Sequence, residues 1–194
     1  MSNKIITISR EFGSGGRTIG KQVAERLGIP CYDHELIEKI AETSGLTKEF
    51  IAERGEYSLR GGWLANAFAD RSMNGLSVQD YLWTVQRKTI LEMAEEGSCV
   101  IIGRCADYIL EGKAELLKVF IHASIESRAR RIVEKYGESA EAPEKRLRDK
   151  DVRRAGYYHF YTDIEWGIAK NYDVTLDSGK IGLDRCVDII VSLY

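Results

Sequence analysis

A cluster of glycines near the N-terminus has the composition of a loop that binds phosphate groups. The stretch Ile8–Gly20 reads ISREFGSGGRTIG, and Gly13, Ser14, Gly15 and Gly16 follow directly on an apolar run. At the N-terminus of a helix, the backbone N–H groups of such a loop can surround an anion, and the helix dipole adds to the attraction. The alternative is an ordinary glycine turn. The chemistry that these residues suggest is therefore phosphate binding.

The loop lacks the lysine that usually reaches the terminal phosphates in the pattern G-x-x-x-x-G-K-[ST]. Gly16, Arg17 and Thr18 stand where Gly-Lys-Thr is expected, and Glu11 stands where the first glycine belongs. Thr18 is placed to offer its hydroxyl to Mg²⁺. Arg17 could supply the missing charge, although a planar guanidinium is not equivalent to a compact ammonium group. If it does, Arg17→Ala lowers turnover by a few powers of ten.

Charged residues directly follow two other apolar segments. Arg104 comes after CVIIG, and Asp33 and His34 come after IPCY. Because ligands gather at the carboxyl ends of the strands in an open parallel sheet, these residues would face the same crevice as the glycine loop. The structural alternative is that Arg104 caps a strand end and Asp33 caps the helix that follows.

A densely charged segment, residues 124–166, could form a lid over bound phosphates. Phosphoryl transfer needs positive charge around the transferring group and the exclusion of water. The alternative is a solvated helix surface with ion pairs between residues i and i+4. The arginines of this segment are Arg128, Arg130, Arg131, Arg146, Arg148, Arg153 and Arg154.

Short apolar segments alternate with stretches of helical periodicity, which predicts the elements that position these residues. The segment KIITIS is apolar on both faces, as in a parallel strand that is buried on both sides. Helical spacing in TIGKQVAERLG places Ile19, Val23, Ala24 and Leu27 on one face, with Gly28 as the stop. Further strands are predicted for IPCY at 29–32, CVII at 99–102, LLKVFI at 116–121 and YDVTL at 172–176.

Helices are also predicted around KTILEMAEE, with Ile90, Leu91 and Ala94 on one face, and in DRCVDIIVSLY at the end of the chain. The alternation favours the α/β class, in a three-layer α/β/α arrangement with a five-stranded parallel sheet. Residues 55–77 do not fit it and are expected to form a mobile excursion above the sheet. The tryptophans are expected to pack or to cover a ligand pocket, and His122 is expected to be structural.

The composition excludes several classes of function. The 194 residues, 44% of them hydrophobic, fit one domain over residues 1–194. A formal net charge of −2 gives no overall attraction to nucleic acid or an anionic membrane. No apolar run approaches the roughly 18 residues of a membrane span, and the first residues enter a strand without a secretion signal, so we expect a cytoplasmic protein. The four widely separated cysteines predict no metal site or disulfide framework.

In their order along the chain, these motifs resemble the cytidylate kinases, and more closely the group called cytidylate kinase-like proteins. The family's ITIDGPSGSGKGT and LDSGAIYR resemble ITISREFGSGGRT and CYDHELIEK, which align without a gap over residues 6–39. Its GRDIGT, FLDAS-E-RA-RR and ADALVLDST resemble GRCADY, FIHASIESRARR and YDVTLDSGK. The resemblance covers nearly the whole chain. It implies a P-loop kinase fold with an acceptor-binding helical insertion at 33–98 and an arginine-rich lid at 124–166.

The resemblance also implies a role for each matching residue, in three groups. The donor ATP and its Mg²⁺ would be held by Gly13, Ser14, Gly15, Gly16, Arg17 and Thr18, with Thr18 at the metal and Arg128 and Arg131 near the nucleotide. The acceptor would be bound by Asp33, His34, Lys39, Arg104 and Asp107. Transfer would be promoted by Arg17, Arg104, Arg148, Asp151, Arg153 and Arg154.

The sequence departs from the family pattern at both sites. In the gapless alignment Gly16 takes the place of the lysine, whereas a shift of one residue places Arg17 there instead. Cys105 replaces the aspartate of GRD, with Asp107 close by, and Lys39 replaces the arginine of the acceptor motif. The donor site thus keeps its shape with altered charge placement, and the acceptor site is altered further.

The function that the resemblance implies is ATP- and Mg²⁺-dependent phosphoryl transfer to a small-molecule acceptor. A nucleoside monophosphate is the expected acceptor class, and CMP is the first candidate. The alternative is a nucleotide-binding regulatory protein with impaired transfer, which the missing lysine and aspartate favour. Retention of Thr18, Arg104 and the lid arginines favours the enzyme. We expect no nucleic-acid or membrane partner, and nothing in the sequence predicts an oligomeric state.

Overall fold

Five parallel strands form the central sheet in the computed structural model, which describes residues 3–54, 71–73, 76–137, 139 and 141–194. The strands of this sheet are β1 (Lys4–Arg10), β2 (Cys31–Tyr32), β5 (Cys99–Ile102), β6 (Glu115–His122) and β7 (Val174–Asp177). Their order is β2-β5-β1-β6-β7, and every neighbouring pair is parallel. The five-stranded parallel sheet predicted from the apolar segments is confirmed. A separate antiparallel pair consists of β3 (Arg71–Met73) and β4 (Leu76–Ser77).

Helices α1 (Gly16–Leu27) and α9 (Leu183–Leu193) cover one face of the sheet. Their apolar sides pack on the strand residues that point to this face, as Ile19 and Val187 do on Ile6 and Ile8. Helix α1 ends at Gly28, whose φ of 66° lets the chain turn through the left-handed region, as predicted.

The opposite face is covered by α2 (His34–Ser44), α3 (Lys48–Arg54), α4 (Val78–Glu96), α5 (Ala106–Ile109) and α7 (Pro143–Thr162). Helix α4 buries Ile90, Met93 and Ala94, whereas Leu91 is only partly buried. The predicted helix is therefore right, but its buried face is turned toward Met93. Helices on both faces confirm the three-layer arrangement. The remaining helical elements are α6 (Ile125–Glu134), α8 (Ser178–Ile181) and a 3₁₀ turn at Ala169–Asn171.

The strand register brings the ends of β1, β5 and β6 to one edge of the sheet. Ile8 of β1 lies opposite Ile102 of β5, and Arg10 lies opposite Ile121 of β6. Arg10 and Arg104 each come two residues after the Ile8–Ile102 pair, so their side chains start from neighbouring positions. The carboxyl edge of the sheet therefore collects the charged residues that follow these strands.

The predicted excursion at 55–77 lies largely outside the described residues, as does Trp63, and its described parts are β3 and β4. Within the described ranges, no helix is long and apolar enough to cross a membrane. The same part of the chain contains no group of three metal-ligating side chains, and the four cysteines are free.

Candidate active site

The glycine loop lies between β1 and α1 in a conformation that requires glycine. Gly13 and Gly15 have φ values of 79° and 84°. A Cβ atom on Gly13 would lie 2.9 Å from Ile132 of α6, and one on Gly15 would lie 2.7 Å from Leu183 of α9. Left-handed backbone and close packing therefore both exclude side chains at these positions. The loop packs closely between these two helices.

Helix α1 presents its N-terminus at this loop without a side-chain cap. Gly15 is the N-cap residue and provides no capping group, and the Ile19 N–H donates to the Gly15 carbonyl at 3.0 Å. The N–H groups that precede Ile19 in the first turn have no acceptor within the helix. Together with the helix dipole, they form the anion-binding end that the sequence predicts. Thr18 lies half-buried in this turn.

Arg128 of α6 and Asp151 of α7 hold the loop from the side of the charged segment. Arg128 donates to Asp151 and to the Phe12 carbonyl, and its Nε lies 3.3 Å from Oε2 of Glu11. Asp151 in turn accepts the Phe12 N–H at 2.7 Å. Burial raises the pKa of the Glu11 carboxyl, which accepts a hydrogen bond from the Ala123 N–H. These contacts assign Arg128 and Asp151 to the support of the loop.

Two further side chains hold the loop in place. Arg131 donates from Nη1 to the Gly13 carbonyl at 3.0 Å. Ser178, the first residue of α8, donates to the Ser14 carbonyl at 2.5 Å and is buried. Sequence reasoning missed Ser178, although it lies within the YDVTLDSGK motif that carries part of the family resemblance. A small hydroxyl residue directly after the last strand was the available signal.

Three buried arginines surround a small cavity at the carboxyl edge of the sheet, which we call the arginine cavity. Its volume is about 20 Å³, enough for one water molecule. The arginines come from β1, the turn after β5, and α7, and each is no more than 7% exposed. The described residues that line the cavity are Ser9, Arg10, Gly103, Arg104, Cys105, Arg154, Tyr157, Tyr158 and Trp166.

The turn after β5 is strained where it enters this cavity. Arg104 and Cys105 have φ values of 61° and 55°, in the left-handed region that side chains disfavour. Arg104 donates from Nη1 to the Ile51 carbonyl at 3.2 Å, and its own carbonyl accepts from Gln86. Arg154 donates from Nη1 to the Arg10 carbonyl at 3.0 Å. Strain of this kind persists where surrounding contacts enforce it, which is common at functional sites.

Arg17 is not among the described residues that line the arginine cavity, and it pairs with Asp33. Its Nε lies 2.6 Å from Oδ2 of Asp33, and Nη2 lies 3.3 Å from Oδ1. The Arg17 side chain is 49% exposed, whereas Asp33 is buried. Asp33 is the N-cap residue of α2, as the alternative interpretation has it, but its side chain makes no capping hydrogen bond there. The ion pair instead links the start of α1 to the end of β2.

Other predicted site residues lie at different distances from the cavity. Lys39 forms a surface ion pair with Glu96 at 2.7 Å, and this hydrogen bond raises the pKa of Lys39. Asp107 is buried behind the cavity and accepts a hydrogen bond from the Tyr158 hydroxyl at 2.9 Å. Burial raises the pKa of Asp107. The structure therefore brings Arg104 and Arg154 together, with Asp107 in support, and leaves Lys39 at the surface.

For the remaining predicted residues, the structure gives the helix on which each one lies and, for two of them, the exposure of the side chain. Arg148 is exposed on α7 and Arg153 is half-buried. His34 is the first residue of α2, and its side chain lies outside the described part of the chain. Arg10 is the residue of the arginine cavity that sequence reasoning missed. Its signal was a charge that ends a buried strand one residue before the position expected for the first loop glycine.

The predicted aromatic packing can be followed at two of the three tryptophans. Trp83 stacks on Tyr161 with ring centroids 4.2 Å apart. Trp166 packs edge-on against Phe120 and lines the arginine cavity, so it combines packing with a position at the site. His122 is half-buried, and its carbonyl accepts a hydrogen bond from Ser178.

Comparisons with known proteins place the chain in a family. A model of the cytidylate kinase-like family matches residues 5–180. A cytidylate kinase from Archaeoglobus fulgidus is 31% identical, with 96% of this chain and 92% of the relative covered. One from Methanothrix thermoacetophila is 27% identical, with 91% and 89% covered.

Solved structures share the fold. A crystal structure of an uncharacterized protein from Eubacterium ventriosum has a TM-score of 0.73 at 27% identity, with 97% of this chain and 96% of that chain covered. A shikimate kinase from Bacteroides thetaiotaomicron has a TM-score of 0.56 at 17% identity, with 100% of this chain and 98% of that chain covered. This similarity supports the fold alone. Because the family model matches most of this chain, the chain belongs to the cytidylate kinase-like family of P-loop phosphotransferases.

Proposed function

We propose that this protein transfers the γ-phosphoryl group of ATP to a small phosphorylated acceptor, with CMP as the first acceptor to test. The observation that carries the proposal is the position of the arginine cavity directly beside a glycine loop at a helix N-terminus. One site offers backbone N–H groups for the donor phosphates, and the other offers guanidinium groups for a second anion. Family membership and relatives named cytidylate kinases support the nucleotide as substrate.

The residues present fit ATP and Mg²⁺. The loop has the left-handed glycines and the uncapped first turn that cradle phosphates. Thr18 would offer its hydroxyl to Mg²⁺. No cluster of three acidic, histidine or cysteine side chains is found in the described ranges, and Mg²⁺ typically relies on phosphate oxygens and water for most of its coordination. When bound, the ion would neutralise charge on the donor phosphates.

In the proposed reaction an oxygen of the acceptor's phosphate attacks the γ-phosphorus of ATP. A bond forms between this oxygen and phosphorus, and the bond to the oxygen shared with the β-phosphate breaks, so ADP leaves. An acceptor phosphate that is already ionised gives up no proton, so no general base is required. Arg104 and Arg154 would stabilise the charge on the transferring group, while Arg128 and Asp151 keep the loop in position.

The acceptor would lie on the side of the sheet covered by α2 to α5. We propose that Arg104 contacts its phosphate and that the Arg17–Asp33 pair lies beside its sugar. His34 and Lys39 belong to the same region, and Lys39 would reach a ligand only by leaving Glu96. Arg148 and Arg153 lie on α7 outside the lining of the arginine cavity, and we propose that they contact the donor from that helix.

A second candidate function is nucleotide binding without transfer, in a regulatory role. The observation that favours it is Gly16, which occupies the usual place of the loop lysine in the gapless alignment. The two candidates differ in one measurable product, because only the kinase releases ADP in response to an acceptor.

The test is a coupled assay of ADP release with Mg·ATP and a panel of nucleoside monophosphates and small alcohols. We expect CMP to stimulate ADP release above the rate with ATP alone and to yield CDP, detected by ion-exchange chromatography. If another monophosphate stimulates ADP release, the kinase function stands and that monophosphate replaces CMP as the acceptor. Binding of Mg·ATP without stimulation by any acceptor would favour the regulatory protein, and absence of ATP binding would exclude both candidates.

A further inference from the structure

The backbone of Gly16 is covered by the side chain of Arg10. A Cβ atom at Gly16 would lie 2.5 Å from the Cβ of Arg10 and 2.9 Å from its Cγ. Real side-chain atoms do not approach so closely, so no residue with a side chain fits at position 16 while Arg10 keeps its place. A lysine at position 16 and an arginine at position 10 are therefore mutually exclusive in this arrangement.

The side chain of Arg10 is buried in the arginine cavity, beside the glycine loop. It is the last residue of β1, directly before the loop, and it is 6% exposed. Its side chain lines the arginine cavity together with Arg104 and Arg154. The described lining of that cavity contains three guanidinium groups and no carboxylate. An anionic ligand that carries several oxygens could accept hydrogen bonds from guanidinium groups that meet at one place.

We propose that Arg10 performs the task of the absent loop lysine and contacts the γ-phosphoryl group of ATP during transfer. This inference rests on the proposed function and deepens it. A Cβ at position 16 would lie only 2.5 Å from the Cβ of Arg10. The side chain of Arg10 therefore starts close to the point from which the side chain of a lysine at position 16 would start. The cavity in this arrangement holds about one water, so the side chains that line it would have to move apart to admit the phosphoryl group.

Arg17 is the competing residue, and the contacts of the two arginines separate them. Arg17 pairs with buried Asp33 and is half exposed, whereas Arg10 is buried beside Arg104. A residue that stabilises the transferring group has to lie where water is excluded, because electrostatic stabilisation weakens in solvent. Arg10 meets this condition.

The experiment removes the side chain at position 10 and then places a lysine at position 16. Arg10→Ala is expected to lower the acceptor-dependent kcat by about 100-fold or more, the usual loss for one transition-state donor. It should also reduce the preference for Mg·ATP over Mg·ADP in calorimetric titrations. The double variant Arg10→Gly with Gly16→Lys restores the usual loop pattern and should regain at least about tenfold over Arg10→Gly alone. Arg26→Ala, which removes an exposed arginine paired with Asp188, serves as the control.

Three results would overturn the assignment of Arg10. They are a kcat of Arg10→Ala within about threefold of the natural protein, a folded double variant no more active than Arg10→Gly, and a large loss in Arg17→Ala with none in Arg10→Ala. If Arg10→Ala does not fold, the double variant decides. Failure of the natural protein to release ADP with any acceptor would instead overturn the proposed function, and the ATP-over-ADP preference would then decide on Arg10.

Discussion

Arg128 shows how a single buried charge organises the phosphate loop. Its guanidinium is almost fully buried and faces two carboxylates, Glu11 and Asp151, and the Phe12 carbonyl. A buried ion pair contributes little to stability when it is compared with apolar residues, but removal of one partner leaves a charge without compensation. The arrangement therefore gives the loop a defined shape more than it gives the protein additional stability.

Asp151→Ala is predicted to destabilise the protein by about 3 kcal/mol, the lower end of the range for a broken buried pair, because Glu11 still contacts Arg128. It should also weaken Mg·ATP binding, since the Phe12 N–H loses its acceptor. The measurement is urea unfolding with and without nucleotide. Glu38→Gln, which alters an exposed ion pair with Lys48, is the control and should leave the midpoint nearly unchanged. Equal midpoints for Asp151→Ala and the natural protein would contradict the supporting role of Asp151.

At the residue scale, motif spacing predicted some of the residues that lie at the carboxyl edge of the sheet, and none of the ion pairs among them. The position of Arg104 after a strand and that of Arg154 in a charged helix placed both at the carboxyl edge, where they line one cavity. The Arg17–Asp33 and Arg128–Asp151 pairs could not be predicted, because they depend on how different elements pack against each other. Arg10 was missed because its contact with Gly16 exists only in the folded protein and leaves no pattern in the sequence.

Helix α7 connects both sides of the candidate site. Asp151 near its middle supports the glycine loop, Arg154 lies in the arginine cavity, and Tyr158 reaches the buried carboxyl of Asp107 on α5. Burial and the neighbouring carboxyl both raise the pKa of the Tyr158 phenol, so the hydroxyl remains a donor in this contact. Movement of α7 would therefore change the loop, the cavity and the α5 contact together.

Asp107→Asn is predicted to remove a pH-dependent part of the stability. Burial raises the pKa of Asp107, so the folded protein holds this proton more tightly than the unfolded chain does. Its stabilising contribution is complete below the ordinary carboxyl pKa of about 4 and is lost as the pH rises through the raised pKa. Asparagine keeps an acceptor for Tyr158 without a charge.

The Tm of Asp107→Asn relative to the natural protein should therefore rise between pH 4 and pH 7, by about 2 °C or more. The measurement is thermal unfolding by circular dichroism across this range. Glu11, whose pKa burial also raises, is present in both proteins, so its effect cancels in the difference. A constant difference across the range would show that Asp107 titrates alike in the folded and unfolded states.

The elements themselves were predictable wherever one face decides the pattern. Apolar, β-branched runs predicted the five strands, and Gly28 predicted the end of α1. Helix α4 was predicted with a slightly rotated buried face, because Leu91 and Met93 are equally apolar and only the packed sheet selects between them. The order of strands also lay beyond the sequence, since it depends on which crossover each helix makes.

The charge of the whole molecule is balanced, while three buried arginines lie close together at its carboxyl sheet edge. The chain carries a net charge of −2, but three buried arginines share one cavity beside the N-terminus of α1. Attraction of an anion therefore depends on this short-range arrangement and little on a long-range field. An anion that enters should tie together β1, the turn after β5, and α7, which come from the beginning, middle and end of the chain.

Mg·ATP is accordingly predicted to stabilise the entire fold. A ligand that binds only the folded state at about 100 times its Kd adds about 2.7 kcal/mol, which raises the Tm of a chain of this size by about 5–10 °C. AMP, which lacks the phosphates that the loop and cavity would hold, should produce a much smaller shift at the same concentration. Differential scanning calorimetry with Mg·ATP, Mg·ADP and AMP measures the series. Equal shifts with AMP and Mg·ATP would show that the nucleoside dominates binding and that the glycine loop holds no phosphate, whereas a graded series places the binding energy at the loop and the arginines.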